Sequence, residues 1–398
     1  MSSSRTPVVV VAPDSFKGSV SAAEAAAAMA RGARAVLPDA EVVELPLADG
    51  GEGTLDAILA VWDEHPLTAA VVDAIGRPRT ARYGMSSDRK TAVIEAAEGN
   101  GLPHVSDVAL QPLRADSYGV GLLAAEALDA GAADILLCIG GSASNDGGTG
   151  LVRALGVRFL DAEGQEVKPG GAGLGEIRSV DAAGLHPRAA RTYWRVAVDV
   201  DNPLVGPRGA AATFGPQKGA TPDDVAVIDA GLENLARVLA EATDADAERY
   251  LAGPGFGAAG GLPLALVALV GAELVSGAEL VGDAVGLRES LARADIVLTG
   301  EGRFDEQSLG GKVVDAVRRG APARVPVVVI AGTVQLSAAR CREEGITAAF
   351  SIAPGARTLD DLVAAAEELL EDAAAHVCAT LNFSADTPRP LGKQRSFS

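Results

Sequence analysis

Short, nearly unbroken apolar runs punctuate the chain at residues 8–11, 42–45, 135–138, 296–298 and 325–330. Runs of this length, rich in β-branched residues, predict strands buried on both faces, as parallel sheets bury them. Two are imperfect: Glu44 interrupts the second and Pro326 stands near the start of the last. Between them lie stretches that predict helices. Residues 21–36 are Ala-rich and open with Ser21 and Glu24 at capping-box spacing. Residues 118–130 end at Gly131, a helix stop, residues 311–319 end before Gly320, and residues 359–376 read as one long terminal helix. Strand and helix signals that alternate in this way predict an α/β fold with parallel sheet.

The middle of the chain has a different texture. Around residues 70–83 and 195–200 the strand signals are shorter and broken by Gly- and Pro-bearing turns, and residues 161–190 read as irregular surface with a few short elements. The expected organisation is therefore one α/β domain built from both chain ends, residues 1–75 and 285–383, with a second, smaller α/β domain inserted at 76–284. Residues 384–398 are polar, with Pro388 and Pro390 and three basic residues, and read as a disordered tail. No internal repeat is visible.

Composition narrows the function. The 398 residues suggest two to three domains. A net charge of −19 repels nucleic acid and anionic lipid, and 4% aromatic residues leave little for a base-stacking surface. In such a field an anion site must be assembled locally. Cys138, Cys341 and Cys378 are too few and too scattered for a disulfide framework or a metal site. With no secretory signature near Met1, and with the apolar stretch 262–275 shorter than a bilayer span, the expected location is cytoplasmic.

Five loops carry the chemistry. Asp14-Ser15-Phe16-Lys17 follows the first strand and precedes a helix, a place where free N–H groups and a lysine suit an anion. Asp49-Gly50-Gly51-Glu52 follows the second, with two acids among glycines for a substrate hydroxyl or a cation's water shell. Gly140-Gly141-Ser142-Ala143-Ser144-Asn145-Asp146-Gly147-Gly148 reads as a nest of uncharged donors for phosphate. Asp199-Val200-Asp201 places two acids at strand spacing, on one face, suited to a hard cation or a general base, and Lys218 lies in the Gly-Pro-rich loop beyond. Glu301, Arg303 and Asp305 follow the strand at 296–298. Each has a plainer reading: a capped turn, a flexible turn, a structural glycine turn, a solvated strand end, an Arg–acid surface pair.

Several signatures are missing. There is no GxxxxGK[ST] loop around Lys312, no protein-kinase set and no GxSxG elbow. Gly255-Phe256-Gly257-Ala258-Ala259-Gly260 spells a dinucleotide fingerprint but follows no buried strand, which leaves a close backbone approach as its other reading. The four histidines have no ligand spacing.

Taken together and in this order, the loops at 12–19, 47–54, 140–150, 199–219, 258–261 and 299–312 resemble the bacterial type I glycerate kinase family. The resemblance spans residues 7 to 380 and implies ATP-dependent phosphorylation of D-glycerate to 2-phosphoglycerate. It implies two α/β domains, one Rossmann- or flavodoxin-like, with the active site in the cleft between them. On that expectation Asp199 is the base, Lys17 and Arg303 neutralise charge or clamp a carboxylate, and Asp14, Ser15, Asp49, Glu52, Glu301 and Asp305 bind glycerate. Residues 140–142, 144–148 and Lys218 bind ATP phosphates, and Asp199 or Asp201 holds Mg²⁺. Glycerate and ATP are the expected partners, with neither nucleic acid nor membrane, and the protein is a monomer or a homodimer. The residues themselves leave open a kinase of another small hydroxy acid, a 3-phosphoglycerate product, and a non-catalytic sugar-acid or nucleotide sensor.

Overall fold

In the computed structural model, which describes residues 6–381, the apolar runs become the strands of two sheets. In chain order the strands are β1 (Val8–Val11), β2 (Glu41–Glu44), β3 (Leu67–Val72), β4 (Pro78–Met85), β5 (Thr91–Glu95), β6 (Asp134–Cys138), β7 (Tyr193–Ala197), β8 (Glu273–Val275), β9 (Ile296–Thr299), β10 (Val327–Ala331) and β11 (Ala348–Ser351). The expected tail at 384–398 lies outside the described residues.

The chain divides into two units. The first takes residues 6–45, 288–307 and 317–381 and carries a wholly parallel sheet in the order β11-β10-β9-β1-β2. Counted within the unit this is the flavodoxin-like order, whose direction reverses between β1 and β9. Every residue of β1, β9 and β10 is buried, which is why their sequences are unbroken apolar runs. The helix Ala22–Val36 begins with the expected capping box: Glu24 N–H donates to Ser21 Oγ at 3.2 Å and Ser21 N–H to Glu24 Oε2 at 2.8 Å. It packs on the helix Ala366–Leu381, sharing a core of Met29, Leu298, Ile330, Leu370 and Cys378.

The expected single terminal helix is two. Leu359–Ala364 is capped by Thr358 and has no buried residue; the helix stops at Ala365 and a second one starts at Ala366. Only the second segment carries the small apolar face that the first unit's core accepts, namely Leu370, Ala374, Val377 and Cys378.

The second unit takes residues 46–287 and 308–316, and its sheet runs β8-β7-β6-β5-β4-β3. Strands β5 to β8 are parallel, and β3 and β4 add antiparallel to β5. It is the larger unit, not the smaller, and it begins at Pro46 rather than at residue 76. The reason is packing: β3 pairs with β4 along its full length, and the helix Thr54–Trp62 presses Leu55 and Leu59 against Gly84 of β4. The longest helix, Pro222–Thr243, was not anticipated, although Thr221, Pro222 and Asp224 spell its start; it buries Ile228, Leu232, Leu235 and Leu239. Residues 161–190 are irregular as expected, with one short ladder between Arg158–Leu160 and Ser179–Asp181.

Candidate active site

In the first unit the chemistry collects where the sheet order reverses, at the carboxyl ends of β1 and β9. The two loops are stitched together: Asp14 N–H donates to Gly300 O at 2.8 Å, and Thr299 Oγ1 to Ala12 O at 2.7 Å. Asp14 is buried and its Oδ1 accepts Ser15 N–H at 2.6 Å. Lys17 is exposed on a turn closed by the Phe16–Val20 bridge, and Gly302 passes beside its backbone. Arg303 is exposed and pairs in a short ladder with Thr333; Glu301 and Asp305 are half-buried. The structure thus gathers Asp14, Ser15, Lys17, Glu301, Arg303 and Asp305 at one end of one sheet.

In the second unit the parallel strands β5 to β8 end side by side, and the Asp49–Gly53 loop lies across them. Asp49 Oδ1 accepts Gly51 N–H at 3.2 Å. A Cβ at Gly50 would stand 2.7 Å from the Ala197 Cβ and 3.7 Å from Asp199 Oδ2, and one at Gly140 would stand 3.3 Å from the Gly51 Cα. Asp199, Asp49 and the exposed Gly140–Gly141 corner are therefore neighbours. Asp199 Oδ1 accepts Gly277 N–H at 2.9 Å. Although Asp199 is exposed as a residue, the protein around its carboxyl desolvates it and, with Asp49 adding repulsion, pushes its pKa up to about 6; the Gly277 bond and Lys312 oppose the rise. Glu52 is exposed on the same loop.

Two residues here escaped the sequence reading. Glu95, the last residue of β5, is buried, accepts Leu55 N–H at 2.8 Å, and has its pKa raised by burial. A carboxylate that ends an otherwise apolar strand was its signal. Asn100 is the other. It is fully buried and its Nδ2 donates to Ser144 Oγ at 3.0 Å. Cys138, by contrast, is an inert core thiol pushed up by burial.

The glycine-rich nest divides in two. Gly140 and Gly141 are exposed, whereas residues 142–150 are buried. Asp146 is fully buried: its Oδ2 accepts Ser117 N–H, Ser117 Oγ–H and Gly150 N–H at 3.0, 2.8 and 2.9 Å. Gly147 packs on Leu232 and Leu235, and Gly148 on Leu262. Asp146, Gly147 and Gly148 thus tie the loop into the core, the Asp146 carboxylate through internal hydrogen bonds. Lys218 reaches the buried half: its Nζ donates to Ser142 Oγ at 3.1 Å and to Ser144 O at 2.5 Å.

The strand spacing of Asp199 and Asp201 does not survive, because β7 stops at Ala197. Beyond that point Asp199 turns to Gly277, while Asp201 is exposed and pairs with Arg208 at 2.8 Å. Among the described residues no three His, Cys, Asp or Glu side chains converge as a metal site. The fingerprint-like segment at 255–260 is a turn leading into the short helix Ala258–Gly261, not a strand exit; Gly260 lies against the backbone of Ser144 and Asn145.

Comparison with known proteins fixes the family. The profile of the glycerate kinase family matches residues 9–382. The chain belongs to the glycerate kinase family. It is 42% identical to a glycerate kinase of Bacillus subtilis (strain 168) over 94% of this chain and 98% of that one. It is likewise 42% identical to a glycerate 2-kinase of Escherichia coli (strain K12), over 94% of this chain and 97% of that one. A crystal structure presented as glycerate kinase 2 from Salmonella typhimurium LT2 superposes with a TM-score of 0.86, at 42% identity, covering 95% of this chain and 99% of that one. No helix among the described residues is long and apolar enough to cross a membrane.

Proposed function

We propose that this chain is an ATP-dependent kinase that phosphorylates D-glycerate to 2-phosphoglycerate. The observation that carries the reading is the placement of Asp199, a carboxyl raised to about 6, next to the Gly50–Gly51 turn that in turn abuts the exposed Gly140–Gly141 corner. A base and a set of phosphate donors at one place are what phosphoryl transfer needs, because the reaction asks for positioning and charge neutralisation more than covalent chemistry.

In this reading the Gly140 and Gly141 N–H groups and the Ser142 hydroxyl hold phosphate oxygens. The glycerate C2 oxygen attacks the γ-phosphorus, Asp199 takes the hydroxyl proton, and ADP leaves. At neutral pH Asp199 is mostly ionised, yet more basic than an ordinary carboxylate, which suits that task. Lys17 and Arg303 serve the glycerate carboxylate or the charge that develops on transfer, and Asp14, Ser15, Glu301 and Asp305 orient the hydroxyls. Mg²⁺, which travels with ATP, supplies neutralisation of the phosphate charge. It needs one or two carboxylates besides the phosphates. Asp49 fits that demand and leaves Asp199 for the proton; Asp201 stands in an exposed pair with Arg208 that a cation can displace. The reading places the protein in the cytoplasm, where ATP is available, in keeping with three free, buried cysteines.

The test is ADP release with Mg-ATP and D-glycerate, with the product's phosphate position read by ³¹P NMR. Glycerate-dependent release with phosphate on C2 is expected. Phosphate on C3 overturns the regiochemistry. Folded, ATP-binding protein without glycerate-dependent release overturns the substrate, and a panel of lactate, tartronate and hydroxypyruvate then finds the acceptor.

A further inference from the structure

Lys218 is only 3% exposed, and its ammonium touches no carboxylate among the described residues; its bonds run to a hydroxyl and a carbonyl. The acid whose charge reaches it, Asp146, is already held by Ser117, Gly148 and Gly150. A buried cation in that state costs stability, since desolvation is not offset by a fixed partner. The polar side chains of the loop that Lys218 reaches are also incompletely paired. Ser142 is 6% exposed and its Oγ has no other partner among the described residues. Asn145 is fully buried with both Oδ1 and Nδ2 unpaired, and Asn100 Oδ1 is unpaired as well. Buried polar atoms are nearly always satisfied; the two amide oxygens call for a donor, whereas Asn145 Nδ2 and the Ser142 hydroxyl proton are donors left without an acceptor.

The direction of the hydrogen bonds says what kind of group the Ser142 hydroxyl calls for. Lys218 Nζ donates to Ser142 Oγ, so that oxygen accepts there and its own proton must point elsewhere. Ser142 follows the exposed pair Gly140–Gly141 and stands at the boundary between solvent and the buried cluster. Its hydroxyl, polarised from behind by an ammonium, is therefore a donor aimed at an acceptor outside, and the most favourable acceptor is an anion.

We propose that Lys218 is the buried counter-charge of an oxyanion site at Gly140–Ser142 and acts on a bound phosphate through the Ser142 hydroxyl without touching it. It is a positioning residue, and its partner chemistry is a phosphate chain. This rests on the kinase reading for the identity of the physiological phosphate but not for the existence of the site.

The experiment is titration calorimetry at pH 6.5, where Lys218 holds its proton, of inorganic tripolyphosphate against wild type, Lys218→Met, Ser142→Ala and the double variant, with steady-state kinetics run in parallel at the same pH. Each single variant is expected to weaken binding about tenfold, and the double no more than the weaker single, because one residue acts through the other. In turnover, Lys218→Met raises KM for ATP about tenfold. Multiplying effects, about a hundredfold in the double, overturn the coupling; wild-type affinity in Lys218→Met, or no binding by the wild type, overturns the site. Should Lys218→Met not fold, Ser142→Thr against Ser142→Ala decides: the hydroxyl-bearing variant must retain binding, and equal affinity in both overturns the proposal. Failed glycerate turnover by wild type that still binds tripolyphosphate would count against the kinase reading alone.

Discussion

Gly277 donates its backbone N–H to Asp199 Oδ1 at 2.9 Å, and it can do so only because it has no side chain: a Cβ there would lie 2.0 Å from Asp49 O. The Asp49–Gly50 turn and the Ser276–Gly277 turn thus meet backbone to backbone, with Asp199 held by the second. Gly277→Ala must push the two apart. The expected result is a loss of about 1–3 kcal/mol in stability and a fall in kcat larger than the unfolded fraction explains. Denaturant titration and kcat on the same preparation check it; unchanged kcat would separate the contact from catalysis.

Asp199→Asn keeps the shape and the Gly277 bond but removes the proton acceptor. General-base removal costs roughly 10²–10⁴ in rate, so kcat should fall by that range while KM for glycerate moves little. Stopped or steady-state ADP release measures both. Near-normal turnover in this variant would move the base elsewhere, with Glu95 the next carboxylate to replace.

Asp146 stands inside the glycine-rich motif, yet its bonds are internal. Asp146→Asn faces backbone and hydroxyl donors with an amide NH₂ and leaves some of them unsatisfied, a cost of about 1–3 kcal/mol per group. The expected signature is a lowered Tm with an unchanged KM for ATP in the folded enzyme. A raised KM at unchanged Tm would instead return Asp146 to the phosphate.

These contrasts show what the sequence carried. The strands of the first unit were legible because β1, β9 and β10 are buried on both faces and so spell unbroken apolar runs. The start of the helix Ala22–Val36 was legible because its cap is two side chains three residues apart. The loops at strand ends were legible because glycine and small polar residues are wasteful there without a purpose. What was hidden depends on contacts far along the chain. Nothing local separates Gly140–Gly141, which face solvent, from Gly147–Gly148, which pack on Leu235 and Leu262. Asp199 and Asp201 looked equivalent by spacing, but β7 ends before them and the backbone turns each its own way. Lys218 was visible as a loop lysine; its burial against residues some seventy positions earlier was not.

Lys218 also leaves a mark on stability that is independent of any substrate. Burial lowers its pKa from 10.5 to about 7, with Asp146 opposing the fall. Between those two values, with no anion bound, the unfolded chain carries a proton that the folded chain has released. The unfolded state binds more protons there, so stability rises with pH through this window. Below about pH 7 both states hold the proton and the full cost of the buried charge is present. Lys218→Met has no such group. Its stability at a single pH mixes removal of the charge with loss of the bonds to Ser142 and Ser144, but the difference between wild type and variant across pH isolates the titration. From pH 6.5 to pH 10 the wild type should gain on Lys218→Met by a few kcal/mol, measured by urea unfolding of both proteins at each pH. Asp116 and Asp199, raised to about 6, titrate below the window and act in both proteins alike. A constant difference across the window would mean that Lys218 stays charged in the folded protein, held by more than the two contacts it makes here.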